Sequence, residues 1–275
     1  MKKHELNHGF NWQERSGPFR AISEPQAKQY NRDGFIIMDN IFSNEAIDSL
    51  LSELDPLEEK STAYLRKHMN GRASIARADE ITFTAHVVTR SPQAKTFTQS
   101  PFFLDLAHDL LGPDVRLYWD QIVYKKPGNP ENFPWHQDNG YTFIQPQQYL
   151  TCWVALSDAD EENGCPWVIP GAHRVGTYEH HWTDLGWDCT DEEPAYRVAA
   201  PVRKGGVVIF SSLTPHMTGP NLTSQLRKTY IVQFAPDGAN VITMKDGKQI
   251  IEPCNVPDRQ YSILVDGKAS ADAAD

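Results

Sequence analysis

From Val115 to Ala235 the chain repeats one grammar, and that grammar limits the folds open to it. The stretches "VRLYWDQIVYKKPG", "LTCWVALSDA", "CPWVIPGAH", "YRVAAPVRKGGVVIFSS" and "RKTYIVQFA" are short runs rich in β-branched and aromatic residues, separated by Gly-, Pro- and Asn-rich turns. Strands this short and this numerous suggest a sandwich or barrel rather than parallel βαβ units. Upstream the pattern is helical. Ser23, with Gln26 three residues on, forms a capping box. "GFIIMDNIF" reads as a short strand. Ser43 caps a second helix, in which Ile47, Leu50, Leu51 and Leu54 make an apolar face and which Pro56 is expected to end. "SPFFLDLAHDLLG" is a further amphipathic helix, stopped at Gly112-Pro113. The expected fold is mainly β with flanking α-helices, in one domain spanning residues 1–275. Its helical part covers roughly 20–112 and its β core roughly 115–240. The start, with His4 and His8, reads as disordered, and the tail "DGKASADAAD" as frayed.

Charge and composition exclude some functions. The net charge of -10 argues against nucleic acid, whose phosphates recruit basic surfaces, and against an anionic membrane surface. No apolar run approaches the ~20 residues of a membrane span. The first residues lack the apolar stretch of a signal peptide. Cys152, Cys165, Cys189 and Cys254 are widely spaced and form no C-x-x-C pair. Reduced thiols and a cytoplasmic location are the expectation, with the chain a monomer or homodimer acting on a small molecule.

The chemistry concentrates in "FPWHQDNGYTF", Phe133 to Phe143. Read as a strand, it sends His136 and Asp138 to the same face. They form either an isolated ion pair or two parts of a metal site. A third candidate, His216, follows "GGVVIF" in the stretch "SSLTPHMTGPN". Two histidines and one carboxylate are the ligand set of the facial triad of non-haem Fe(II) oxygenases, which leaves coordination positions open. The same set also suits Zn²⁺, but the helical H-E-x-x-H of many zinc hydrolases is absent. Arg227 opens "RKTYIVQF" and returns near His216 if that strand lies beside "VVIFSS". It is either a strand-edge arginine paired at the surface or a two-pronged clamp for a carboxylate.

Four ordered blocks then carry a resemblance. "NRDGFIIMDNIFSNEAIDSL", "YKKPG…FPWHQD", "CWVALSDADEENGCPWVIPGAHR" and "KGGVVIFSSLTPHMTGPN…RKTYIVQF" together resemble the phytanoyl-CoA dioxygenase family of Fe(II)/2-oxoglutarate-dependent oxygenases, over about residues 22–240. The resemblance implies a double-stranded β-helix (jelly-roll, cupin-like) core. It implies Fe(II) on His136, Asp138 and His216, with 2-oxoglutarate and O2 as co-substrates and Arg227 on the far carboxylate of 2-oxoglutarate. It further implies Thr218, Lys125, Trp153 and Phe133 at or near the co-substrate. Gln121, Asn139 and Tyr141 are the substrate-pocket candidates, and the aromatic loop Gly176 to Trp187 is a pocket element or a surface excursion. Related halogenases carry a small residue where this chain has Asp138, so the resemblance favours hydroxylation over chlorination. Desaturation, epimerisation or ring formation would use the same iron site, and a non-catalytic binder would use the same scaffold.

Overall fold

The computed structural model describes residues 1–270. In chain order the elements that matter here are α1 (Glu24–Asp33), β1 (Phe35–Met38), α2 (Asn44–His68), β2 (Ile81–Ala85), α3 (Pro101–Leu111) and β3 (Val115–Lys125). They continue with β4 (Phe133–His136), β5 (Leu150–Ala155), β6 (Pro166–Val168), β7 (Val207–Ser211), β8 (His216–Thr218) and β9 (Arg227–Pro236). The last are β10 (Asn240–Lys245), β11 (Lys248–Pro253) and β12 (Ser262–Val265). The large antiparallel sheet runs β1-β7-β5-β9-β3-β2 and continues into two short strands, with β12 also on β3. A smaller sheet runs from Val198–Ala199 through β6 and β8 to β4. The fold is thus mainly β with flanking helices, as the strand grammar requires.

Alternation along the strands decides which face each side chain serves. On β5, Leu150, Cys152 and Val154 point outward into the helix-covered core with Tyr30, Ile47, Leu50, Leu54, Phe103 and Leu106. Thr151 and Trp153 point to the other face, which lines a cavity. The register of β3 on β9 slips between Gln233 and Phe234, because Trp119 pairs with Gln233 and Leu117 with Phe234. The slip is a bulge at Tyr118, and it brings Tyr118 and Trp119 both to the cavity side.

Some expectations fail, and the condition set on Arg227 is not met. Pro56 does not end α2, which runs to His68. The proline lies on the exposed face, so the carbonyl it leaves unpaired, at exposed Ser52, meets water, while Leu54, Glu58, Thr62 and Leu65 on the other face hold the helix down. The strands containing "VVIFSS" and "RKTYIVQF" are not neighbours, since β5 lies between β7 and β9. The helical part contributes strands, with β2 paired to β3. The β structure passes residue 240, with β12 back on β3. The chain start is ordered: Lys3 bridges Tyr178, His4 stacks on Phe143 at 5.0 Å and Asn7 is buried. Within the expected frayed tail, Val265 pairs with Lys268 and Leu264 with Ala269, whereas residues 271–275 lie outside the described residues. The four cysteines are buried and unpaired. Among the described residues no helix is long and apolar enough to cross a membrane.

Glu58 ties α2 to the sheet edge. Its carboxylate accepts from Thr62 at 2.7 Å, from Thr82 of β2 at 2.6 Å and from Lys126 at 2.7 Å. Burial works to raise its pKa, but the bonds from Lys126, Thr62 and Thr82 outweigh it and hold the carboxyl below its usual range. A depressed carboxylate contributes stability above its unfolded pKa, and that contribution is lost as pH falls through the folded value. Glu58→Gln should therefore cost about 1–3 kcal/mol in urea unfolding at pH 7. The gap to wild type should narrow on acidification, and an unchanged gap at pH 4 would show that the charge of Glu58 is not what holds α2.

Candidate metal centre and its cavity

β4 and β8 pair antiparallel with His216 directly opposite His136, and the two rings approach to 4.1 Å between centroids. Asp138 arrives differently from the strand reading. β4 ends at His136, and Asp138 opens a helical turn, Asp138–Tyr141. The chain turns because Gln137 is anchored on all sides. Its side-chain amide donates to Gly176 O at 3.0 Å and Leu213 O at 2.6 Å and accepts from the Tyr178 backbone at 2.6 Å. Its own N–H donates to His180 Nε2 at 2.9 Å. The ring of His180 fills the space beside Gly140, where an added Cβ would come within 1.9 Å of it. The turn thus needs a glycine there.

The three ligand-type atoms of His136, Asp138 and His216 lie within 4.8 Å of one another. Donors on one face of an octahedron with bonds of about 2.1 Å stand about 3 Å apart, so this set is spread wider than a coordinated one. Its chemistry fits a divalent ion. Each histidine pairs its Nδ1 with a carbonyl two residues upstream, Pro134 O at 2.8 Å and Thr214 O at 2.9 Å, which leaves both Nε2 lone pairs free. Burial, helped by His216, pushes His136 down to about 3, and burial pushes His216 down to about 4, so both rings are neutral at pH 7. Burial raises the Asp138 carboxyl, against the opposing pull of His136, Thr151 and Gln233.

The cavity beside this set has a volume of about 240 Å³. Arg227 lines it and is 1 % exposed. Its Nη1 reaches Val123 O only at 3.5 Å, and Nε and Nη2 have no partner. The guanidinium lies over the Trp153 ring at 5.2 Å, and burial lowers its pKa to about 10. Thr218 Oγ1, in the same cavity, is also buried without a partner. Phe133 packs edge-on against His136 at 5.0 Å. Gln121 and Tyr141 line the cavity, and Tyr141 Oη has no partner.

Two candidates are turned away. Lys125 pairs with Arg227 across the sheet, but its ammonium donates to Glu131 O at 3.0 Å and to the carbonyl of Gly219. Burial and the nearby Arg227 lower it to about 6. Asn139 is fully buried, donating to Thr177 Oγ1 at 2.6 Å and accepting from Ile144 N at 2.9 Å. It shapes the turn and does not line the cavity. The aromatic loop is divided: Thr177, Tyr178 and His180 brace the turn, whereas Trp182, on the hairpin that follows, is 48 % exposed. Sequence reading missed Gln137, His180, Thr151, Gln233 and Phe210. Phe210 sits 4.4 Å from the His216 ring. Gln233 alone left a signal, a polar residue inside the apolar run "TYIVQFA".

The phytanoyl-CoA dioxygenase family model matches residues 30–229. The ectoine dioxygenase of Bordetella parapertussis is 28% identical over 158 residues, 56% of this chain and 50% of that protein. The match therefore spans half the length of that relative. The methylphosphonate hydroxylase of Gimesia maris is 27% identical over 224 residues, 78% of this chain and 81% of that protein. A solved structure of the epimerase SnoN in complex with Fe3+, alpha ketoglutarate and nogalamycin RO superposes with a TM-score of 0.68 at 22% identity, covering 87% of this chain and 97% of that one. At that identity the likeness speaks for the fold.

The neutral histidines make the metal-free protein sensitive to acid. Unfolded, each titrates near 6.5; folded, they titrate near 3 and 4. Between those values the unfolded chain binds more protons, so stability is present above pH 6.5 and falls as the pH drops. His216→Gln should flatten the fall of unfolding free energy between pH 6 and pH 5 by up to about 1.4 kcal/mol per pH unit. Urea titrations of the chelator-treated protein measure this, and an unchanged slope would mean that His216 takes up its proton freely in the fold.

Proposed function

The chain belongs to the phytanoyl-CoA dioxygenase family, and we propose that it is an Fe(II)- and 2-oxoglutarate-dependent dioxygenase that hydroxylates an unactivated C–H bond of a small molecule, with succinate and CO2 as co-products. The observation that carries this reading is the pairing of two features in one cavity. One is a His-Asp-His set with free neutral donors. The other is a buried guanidinium whose Nε and Nη2 have no partner, with the orphaned hydroxyl of Thr218. A buried arginine without a carboxylate is costly, and a dicarboxylate co-substrate removes that cost.

Ferrous iron, when bound, supplies the activation of O2 at the expense of 2-oxoglutarate. The chain's own part is positioning and exclusion of water. His136 and His216 hold their Nε2 atoms toward Asp138 because their Nδ1 atoms are tied to backbone carbonyls. Arg227 offers the two-pronged geometry that a carboxylate accepts, and Thr218 adds a donor beside it. Trp153 lies under the guanidinium and fixes its plane. Phe133 fixes the ring of His136.

The charges in this cavity bear on the substrate. Among the described residues that line it, Asp138 is the only carboxylate and Arg227 the only arginine or lysine. Ferrous iron and Arg227 together balance Asp138 and the two carboxylates of 2-oxoglutarate, so no charge remains for the substrate to neutralise. The walls around it include Ile75, Ile81 and Phe83, with Gln121 and Tyr141 as polar groups. The part of the substrate that enters is therefore uncharged and largely apolar, able to bond a carboxamide or a phenol. The relatives named for ectoine and methylphosphonate favour a small molecule over a polymer. Four buried, unpaired thiols favour a reducing compartment such as the cytoplasm.

Arg227 gives the test. Arg227→Lys keeps the charge and loses the fork, so it should raise the KM for 2-oxoglutarate and leave some turnover. Arg227→Ala removes one partner of a buried charged pair, at a cost of about 2–5 kcal/mol, or roughly 30- to 4,000-fold in affinity. Iron affinity without 2-oxoglutarate should change little. Anaerobic titration with 2-oxoglutarate, followed through its charge-transfer band with Fe(II), separates the two effects. Wild-type affinity in Arg227→Ala would place the anchor elsewhere.

A further inference from the structure

One row of side chains crosses the inner face of the large sheet beneath the metal set. Trp119 of β3 lies opposite Gln233 of β9, Gln233 opposite Thr151 of β5, and Thr151 opposite Phe210 of β7. Thr151 is fully buried and Gln233 is 6 % exposed. The Gln233 amide donates from Nε2 to Thr151 Oγ1 at 3.2 Å, and Thr151 Oγ1 donates to Asp138 Oδ2 at 2.5 Å; Gln233 also acts on the Asp138 carboxylate directly, more weakly than Thr151 does. Asp138 Oδ1 instead faces His216 Nε2 at 3.9 Å.

From this geometry we propose that Gln233 is a positioning residue that makes Asp138 a one-oxygen metal ligand by acting through Thr151. The proposal rests on the iron reading above. A threonine hydroxyl has a single proton. Left alone it could turn that proton to a backbone carbonyl and offer the carboxylate nothing. Gln233 occupies a lone pair of Oγ1, which directs the proton to Asp138 Oδ2. With Oδ2 engaged, Oδ1 is the oxygen presented to the metal. The consequence is a count of open positions. A carboxylate gripping the ion with both oxygens would take a position that the co-substrate or O2 needs, and the facial triad works because those positions stay free. The row also explains a glutamine in an otherwise apolar strand. A purely structural residue at a site facing Thr151 and Trp119 would be better served by an apolar side chain, because a buried amide has to find partners.

The experiment is a double-mutant cycle read on metal binding. Co(II) is titrated into the chelator-treated full chain, and both affinity and the visible d–d bands are followed. Thr151→Val keeps the volume and removes the hydroxyl, and it should weaken Co(II) binding roughly 10- to 100-fold, the range for loss of a group that supports a ligand. Gln233→Met keeps the length and removes the amide, and it should weaken binding by about 10-fold. The double variant should be only slightly weaker than Thr151→Val, and all three should show the same change in the d–d bands. Should Gln233→Met fail to fold, Gln233→Asn carries the same expectation, because it withdraws the amide from reach. Wild-type affinity and bands in the glutamine variant, or losses that add fully in the double variant, would overturn the proposal. A wild-type chain that binds Co(II) no better than His216→Ala would overturn the iron reading itself, and this proposal with it.

Discussion

The register that sets His216 opposite His136 is the contact on which the site depends. β4 and β8 are short, and a slip of one residue in either would turn a histidine to the other face. Three supports hold that register. Gln137 knots the strand end to two loops. Thr218 pairs with Phe133 farther along the same strands. Gly34, in the left-handed region at φ 84, closes α1 so tightly that its carbonyl accepts from Thr214 Oγ1 and Ser211 N. Thr214 in turn supplies the carbonyl that orients His216. A helix cap far from the cavity in sequence thereby sets the ring of His216, one of the three candidate ligands.

The same construction leaves the cavity unbalanced. Two basic side chains, Arg227 and Lys125, stand side by side in the sheet, and among the described residues neither forms an ion pair with a carboxylate. Lys125 is relieved by carbonyl oxygens and by a lowered pKa. Arg227 is not relieved, and its open donors are what a dicarboxylate would fill. Sites that bind ligands commonly hold groups that destabilise the empty protein. Here the outward face of the large sheet, packed on α1, α2 and α3, supplies the stability that lets the inward face carry such groups.

How much of this the sequence disclosed follows from what each signal measures. Alternation and turn residues report local backbone preference, so the strands from Val115 to Ala235 and the caps at Ser23 and Ser43 were legible. The spacing of His136, Asp138 and His216 reports chemistry, and the three do converge. Asp138 joins them from a helical turn, because Gln137 and His180 redirect the chain, and nothing local announces those long-range bonds. Strand order is not legible for the same reason, since nothing in "VVIFSS" or "RKTYIVQF" says that "LTCWVA" comes between them. The resemblance implies Lys125 at or near the co-substrate, but a place on an inward strand fixes a face and not where a long side chain ends. The usual rule for a helix interior ends α2 at Pro56, and tertiary packing on the opposite face overrides it.

The account stands or falls on where a metal and a dicarboxylate sit. Crystals grown without oxygen with Fe(II) and 2-oxoglutarate, with the metal located by its anomalous scattering, give the direct measurement. The account predicts one strong peak bonded to His136 Nε2, His216 Nε2 and Asp138 Oδ1, with Asp138 Oδ2 still on Thr151 and the far carboxylate of 2-oxoglutarate on Arg227 and Thr218. A metal bound away from those three residues, or a 2-oxoglutarate whose far carboxylate lies on Lys125 with Arg227 left unpaired, would contradict it.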